Sequence, residues 1–219
     1  MLTANDVASV IIARNGPWLD AMSLQKLLYY VQAWHVAITN EPLFDEQVKA
    51  WKDGPVVPQV WRARKDRASR RAATQNIEGI HLDDLASDLI DLVIGAYGSM
   101  SGEELSALTH AETPWKEARG DLPADAECRN PISLDAMARF YRTHRKLGGR
   151  TAADLAAGGI HLSAAKGAGR VDVDALLASL GDEGMDAGSD PWGGGNLQDS
   201  SLLDAEGIEQ EPRRSYADW

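Results

Sequence analysis

The chain has 219 residues, 44% hydrophobic and 25% charged, a balance that provides for a buried core over most of its length. Its one cysteine, Cys128, excludes an internal disulfide; no Cys/His cluster has zinc spacing, and no stretch approaches the ~20 apolar residues that span a bilayer. The net charge of −11 is uneven: residues 1–150 carry 18 basic and 20 acidic side chains, residues 151–219 carry 4 and 13, so the acidity lies in the tail. A general nucleic-acid binder leans basic, and this chain does not. The start, Met1-Leu2-Thr3-Ala4-Asn5-Asp6, lacks the basic and apolar regions of a secretory leader. A cytoplasmic protein without membrane, metal or cofactor is therefore expected.

In chain order, Asn5 or Asp6 is expected to cap a first helix with Val7, Val10 and Ile11 on one face, stopped by Gly16-Pro17. Ser23 is expected to cap a long second helix, because Leu24, Leu27, Leu28, Val31, Trp34 and Ile38 recur at helical spacing up to Asn40-Glu41-Pro42. Val48 to Pro58 holds two prolines and a glycine, with alternation before Gly54, and reads as a short strand or extended loop. A helix from Val57 to about Arg67 follows, then a polar loop over Arg70–Gly79. Leu82–Tyr97 is helical by its Leu85, Leu89, Leu92, Val93 pattern. Ser101 with Glu104 forms a capping-box pattern, Thr113-Pro114-Trp115 starts another helix, and Ser133 to about Lys146 makes a helix with Leu134, Met137, Ala138 and Tyr141 on its apolar face.

Gly148-Gly149 marks a boundary, with a helical domain over 1–148 and an acidic, glycine-rich extension over 149–219. Within the extension, Ala152–Ala157 and Val171–Leu180 are possible short helices, and the Gly181–Gly195 stretch is too poor in apolar surface to order itself. The fold class is mainly α: a helical domain with a short extended segment and a flexible, partly disordered acidic arm.

Chemistry-bearing motifs are few. There is no phosphate-binding glycine loop, no HExxH and no nucleophile elbow, and the histidines His35, His81, His110, His144 and His161 are scattered. Thr109-His110 with Glu112 is the one cluster that could support acid–base work; the alternative is that Thr109 and His110 satisfy backbone groups at a helix end. Arg62, Arg64, Lys65, Arg67, Arg70 and Arg71 form a basic run, read either as a solvated helix face or as a nucleic-acid patch. Tyr29, Tyr30 and Trp34 cannot all point inward from one helix, and an aromatic left outside would anchor a partner. Trp192 and the terminal Trp219 are further possible anchors in the tail.

Three segments taken together resemble a known family. They are Leu24-Gln25-Lys26-Leu27-Leu28-Tyr29-Tyr30-Val31-Gln32-Ala33-Trp34-His35 with Pro42-Leu43-Phe44-Asp45, then Ala50-Trp51-Lys52-Asp53-Gly54-Pro55-Val56-Val57-Pro58, then Glu104 to Trp115 with the Ile132–Tyr141 helix. In this order they resemble the Panacea domain of SocA-like antitoxins over roughly residues 3–146. The resemblance implies a bacterial or phage antitoxin, not an enzyme, that neutralises a cognate protein toxin by direct contact, the toxin being encoded by the adjacent gene. It also implies two alternatives: an adaptor that delivers a toxin to a ClpXP-type protease, or a DNA-binding autoregulator acting through the basic run. The expected partner groove is lined by Tyr29, Tyr30, Trp34, Trp51, Val56, Val57, Trp61 and Trp115.

Overall fold

The computed structural model describes residues 2–16, 19–64, 77–123 and 125–158. The expected patch at Val171–Leu180, the remainder of the acidic extension with Trp192 and Trp219, and Lys65, Arg67, Arg70 and Arg71 of the basic run lie outside the described residues.

The fold is mainly α. Its helices are α1 (Ala4–Asn15), α2 (Ala21–Thr39), α3 (Pro58–Arg64), α4 (Asp84–Tyr97), α5 (Gly102–Ala111), α6 (Thr113–Arg119), α7 (Leu134–His144) and α8 (Ala152–Gly158). Between α2 and α3 lies an antiparallel hairpin, β1 (Lys49–Trp51) and β2 (Gly54–Val56), with Ala50 opposite Pro55. A third extended segment continues this small sheet: the Ala50 N–H donates to the Asn130 carbonyl and the Ile132 N–H to the Val48 carbonyl, at 2.9 and 2.8 Å.

Helix starts are set by side-chain oxygens that accept from the otherwise orphaned first-turn N–H groups. For α1 the cap is Thr3, not Asn5 or Asp6. The Thr3 hydroxyl accepts from the Asp6 N–H and the Asp6 carboxylate accepts in return from the Thr3 N–H, a capping box. For α2 the cap is Asp20, whose carboxylate accepts from the Ser23 N–H at 2.8 Å, so Ser23 sits in the first turn. Ser101 and Glu104 cap α5 as a box, as their spacing predicts. Asn40 ends α2 in the left-handed conformation at φ 65°.

Helix α2 is the axis of the molecule. It packs against α1, α3, α4, α5, α7, α8 and β2, and each residue from Ser23 to Ala37 is buried. A helix surrounded on all sides has no outward face, which corrects the expectation that one of its aromatics remains on the surface. Tyr30 is 1% exposed and stacks on Tyr97 of α4 with ring centroids 4.1 Å apart; Tyr29 and Trp34 are fully buried against Tyr141 of α7.

Ala152 and Leu155 of α8 are buried in the same core, and α8 packs on α2 and α7. The inward face of α7 differs by one position set: Phe140 is buried with Met137 and Tyr141, whereas Leu134 is exposed.

Several of the polar side chains buried with α2 bond to segments outside the helix. The Gln32 side chain accepts from the Leu43 N–H at 2.9 Å and donates to the Phe44 carbonyl at 2.9 Å, fixing the irregular 40–48 segment. His35 Nδ1 lies 2.7 Å from the Glu41 carbonyl, which only accepts, so this nitrogen carries the proton. The Gln25 carbonyl oxygen accepts from the Val57 N–H at 2.8 Å. Burying Leu27, Leu28 or Val31 contributes about 1.5–3 kcal/mol each. An unpaired buried polar group costs about 1–3 kcal/mol, so pairing decides whether these side chains help or harm. Replacing Gln32 by Leu leaves the Leu43 N–H and Phe44 carbonyl without their partners. It should lower unfolding free energy by about 2–4 kcal/mol in urea titrations, whereas a loss below about 1 kcal/mol would contradict this role.

Candidate functional site

The hairpin is short, yet it is held from within. Lys26 on α2 is 1% exposed and donates from Nζ to the carbonyls of Asp53, at 2.5 Å, and Pro55, at 3.4 Å. The Ser106 hydroxyl of α5 donates to the same Asp53 carbonyl at 3.0 Å. Glycine is required at 54 for two reasons: its φ is +99°, and a Cβ there would stand 2.7 Å from the Lys26 ammonium end and 3.0 Å from the Thr109 hydroxyl. From the opposite side, the Trp115 indole N–H donates to the Trp51 carbonyl at 3.0 Å and the Arg119 guanidinium to the Ala50 carbonyl at 3.3 Å. Burial pushes the Lys26 ammonium down to a pKa of about 7, against the attraction of Asp53 and Asp20.

This support presents two tryptophans. Trp51 at the end of β1 and Trp61 on α3 are half-buried and meet edge to face, with centroids 6.0 Å apart at 71°. Hollows flank Trp51. One, of about 380 Å³, has Trp51, Trp61, Met22 and Val56 as apolar wall and Asp20, Asp53 and Glu103 at its rim. The other, of about 680 Å³, is mixed in charge, with Asp45, Glu46, Lys49, Arg62 and Arg129 around Trp51 and Pro58.

Of the expected groove residues, Trp51, Trp61 and Val56 line the first hollow together. Tyr29, Tyr30, Trp34 and Val57 are wholly buried, and Trp115 is buried but for a small part of its surface. The basic run is also altered: Arg64 is 6% exposed and donates to the Asn5 carbonyl and Ser9 hydroxyl of α1, because α3 packs on α1 there. Arg62 is exposed and borders the second hollow.

His110 and Glu112 face different surroundings. His110 stacks on Trp115 at 4.2 Å, with the Ser106 hydroxyl 3.4 Å from Nε2, and burial with the nearby Lys26 charge lowers its pKa to about 4. Glu112 is 1% exposed and accepts from the hydroxyls of Tyr29 and Tyr141, both at 2.8 Å, and from Arg145 at 3.1 Å. Burial pushes the Glu112 carboxyl upward, while Arg145 and the two tyrosines oppose that rise. This carboxylate ties α2, α6 and α7 into the core, and its partners are structural. Thr109 donates to the Ser106 carbonyl at 3.0 Å, the helix-end bonding that its position predicts. Among the described residues no group of three His, Cys, Asp or Glu side chains is placed to hold a metal ion, and no helix is long and apolar enough to cross a membrane.

Lys26, Gln25 and Gln32, the residues that hold the hairpin and its approach, are not among the expected site residues. The available signal was a lysine between Leu24 and Leu27, on a stretch whose apolar residues occupy most faces of the helix. The rim carboxylates Asp20 and Glu103 carry no sequence signal, since they converge from separate helix starts.

The comparisons fall on the same segments. Residues 24–116 match the family model described as antitoxin SocA-like, Panacea domain. The chain is 32% identical over 109 residues to antitoxin SocA of Caulobacter vibrioides (strain NA1000 / CB15N), an alignment covering 44% of this chain and 58% of that protein. The chain thus spans somewhat over half the length of the curated relative that it matches. No solved structure matches it significantly. The matched span runs from the start of the buried α2 stretch to the residue after Trp115, and so contains Gln25, Lys26, the hairpin and Glu112.

The lysine gives a test with a definite sign. Its folded pKa of about 7 lies below the ordinary 10.5. Between about pH 7 and about pH 9 the folded chain therefore binds fewer protons at this site than the unfolded chain, and stability rises with pH. Compared with Lys26→Met, the wild type should gain on the order of 2 kcal/mol across that window in chemical unfolding. Parallel curves for the two proteins would show that Lys26 is not held in this environment.

Proposed function

Starting from the Panacea domain of SocA-like antitoxins that residues 24–116 carry, we propose that this protein is an antitoxin that neutralises a cognate protein toxin by binding it directly. The partner is a protein encoded by the adjacent gene, and the contact is made by the face that bears Trp51 and Trp61. One observation carries the placement: half-buried Trp51, on a hairpin that buried side chains hold in place, meets half-buried Trp61 of α3 beside an apolar hollow. Tryptophan anchors in partly desolvated pockets supply a large share of interface energy, and a rigid presenting loop loses little entropy on binding. A contact of common size, ~1,600 Å² in total, would extend well beyond the two hollows. Neutralisation follows when such a contact covers or distorts the active surface of the toxin.

The autoregulator alternative loses support from Arg64, which spends its guanidinium inside the molecule. No observation among the described residues favours delivery to a protease.

The test is co-expression with the protein encoded next door, comparing wild type with the double variant Trp51→Ala/Trp61→Ala. Both side chains are half-buried, and the Trp51 carbonyl that accepts from Trp115 is retained. The variant should keep its circular dichroism and lose co-purification, with a Kd raised at least about 30-fold, the equivalent of about 2 kcal/mol. A folded double variant that captures and neutralises as well as wild type would move the contact elsewhere on the molecule.

A further inference from the structure

The smaller hollow has a chemistry of its own. Its wall is apolar and aromatic, made by Trp51, Trp61 and Met22, and its rim brings together the carboxylates of Asp20, Asp53 and Glu103. Among the described residues that line it, the one basic side chain is Lys26, which bonds to the carbonyls of Asp53 and Pro55 and feels the charges of Asp53 and Asp20, so three carboxylates face a single amino group. The field at the mouth is therefore negative. Asp20 is anchored as the cap of α2, with its carboxylate on the Ser23 N–H and hydroxyl, so one charge of the rim is fixed in place.

We infer that this hollow receives an arginine side chain of the partner protein. This rests on the partner-binding reading of the same face. A phosphate or a nucleic-acid backbone would meet three carboxylates and be repelled. A purely apolar side chain would take water from those carboxylates and return no hydrogen bond. A guanidinium satisfies both halves of the site: its weakly hydrated plane stacks on indole, and its edges donate to carboxylates. A lysine ammonium is more strongly hydrated and carries no plane to stack, so it fits the apolar wall less well.

The probe is the blocked tripeptide Ac-Gly-Arg-Gly-NH2, titrated into the full chain while the indole N–H signals are followed by NMR. Assignment comes from Trp51→Phe and Trp61→Phe. The lysine and citrulline analogues serve as comparisons; citrulline keeps the shape and loses the charge. The expected result is a saturable shift of the Trp51 and Trp61 signals by the arginine peptide, a weaker one by lysine, and none by citrulline. Glu103→Gln, an exposed position at the first turn of α5, should weaken arginine binding about threefold, as expected for one exposed charge. Trp61→Ala should abolish it.

Equal shifts by the citrulline peptide, no arginine-induced shift at either tryptophan, or unchanged binding by Glu103→Gln would each overturn the inference. The two readings can fail separately. Capture of the neighbouring protein by wild type and not by the tryptophan double variant, with no arginine binding, would leave the docking face and remove its arginine. Arginine binding without capture of that protein would do the reverse.

Discussion

The fold depends on one buried amino group. Lys26 stands inside the bundle, on a helix that has neighbours all around it, and its hydrogens reach the carbonyls of a hairpin that has only three residues per strand. An isolated hairpin of that size does not persist in water. Here it persists because α2 supplies hydrogen bonds that a larger sheet would otherwise supply: Lys26 to the turn, Gln25 to the chain just after β2, and Gln32 to the segment that leads in. The half-buried Trp51 at the end of β1 owes its fixed position to these buried groups, so this part of the surface is organised from the core outward.

The same arrangement explains why a polar-studded helix occupies the centre. Tyr29 and Tyr141 converge on the Glu112 carboxylate together with Arg145, and Tyr30 lies flat on Tyr97. The Glu112 carboxylate draws its donors from α2, from α7 and from Arg145 just after α7, and such a network specifies one packing among the many that an apolar core would tolerate. The two-sided cost is plain: a buried ion pair adds little over an apolar pair of equal shape, but losing one member strands the other.

Much of this was legible in the amino-acid sequence, and the rest fails for identifiable reasons. Helical periodicity located α1, α2, α4 and α7, and the proline–glycine pattern around Gly54 located the hairpin. Caps were misplaced by two or three residues, since Thr3 and Asp20 precede the apolar pattern that announces their helices. The burial of the α2 aromatics is illegible for a deeper reason. Periodicity describes one helix at a time, whereas exposure of Tyr30 or Trp34 is decided by Tyr97 and Tyr141, which lie far away in the chain. Arg64 reads as a surface charge until α1 offers it a carbonyl and a hydroxyl. Trp51 and Trp61 are expected groove residues on the strength of the family resemblance, and the structure brings their half-buried rings together.

The small sheet leaves little room for a guest strand. On one side β1 is bonded to β2, and on the other to the Asn130–Ile132 segment. The outer side of β2 meets Gln25 and Lys26, and Pro55 has no N–H to offer. A partner therefore gains little by adding a strand to this protein, a mode in which the main chain provides affinity irrespective of side-chain identity. On the proposed docking face, recognition would be written in side chains, around Trp51 and Trp61 and their charged surroundings. A surface of that kind can change its partner through a handful of substitutions while the hairpin, and the helix that holds it, stay as they are.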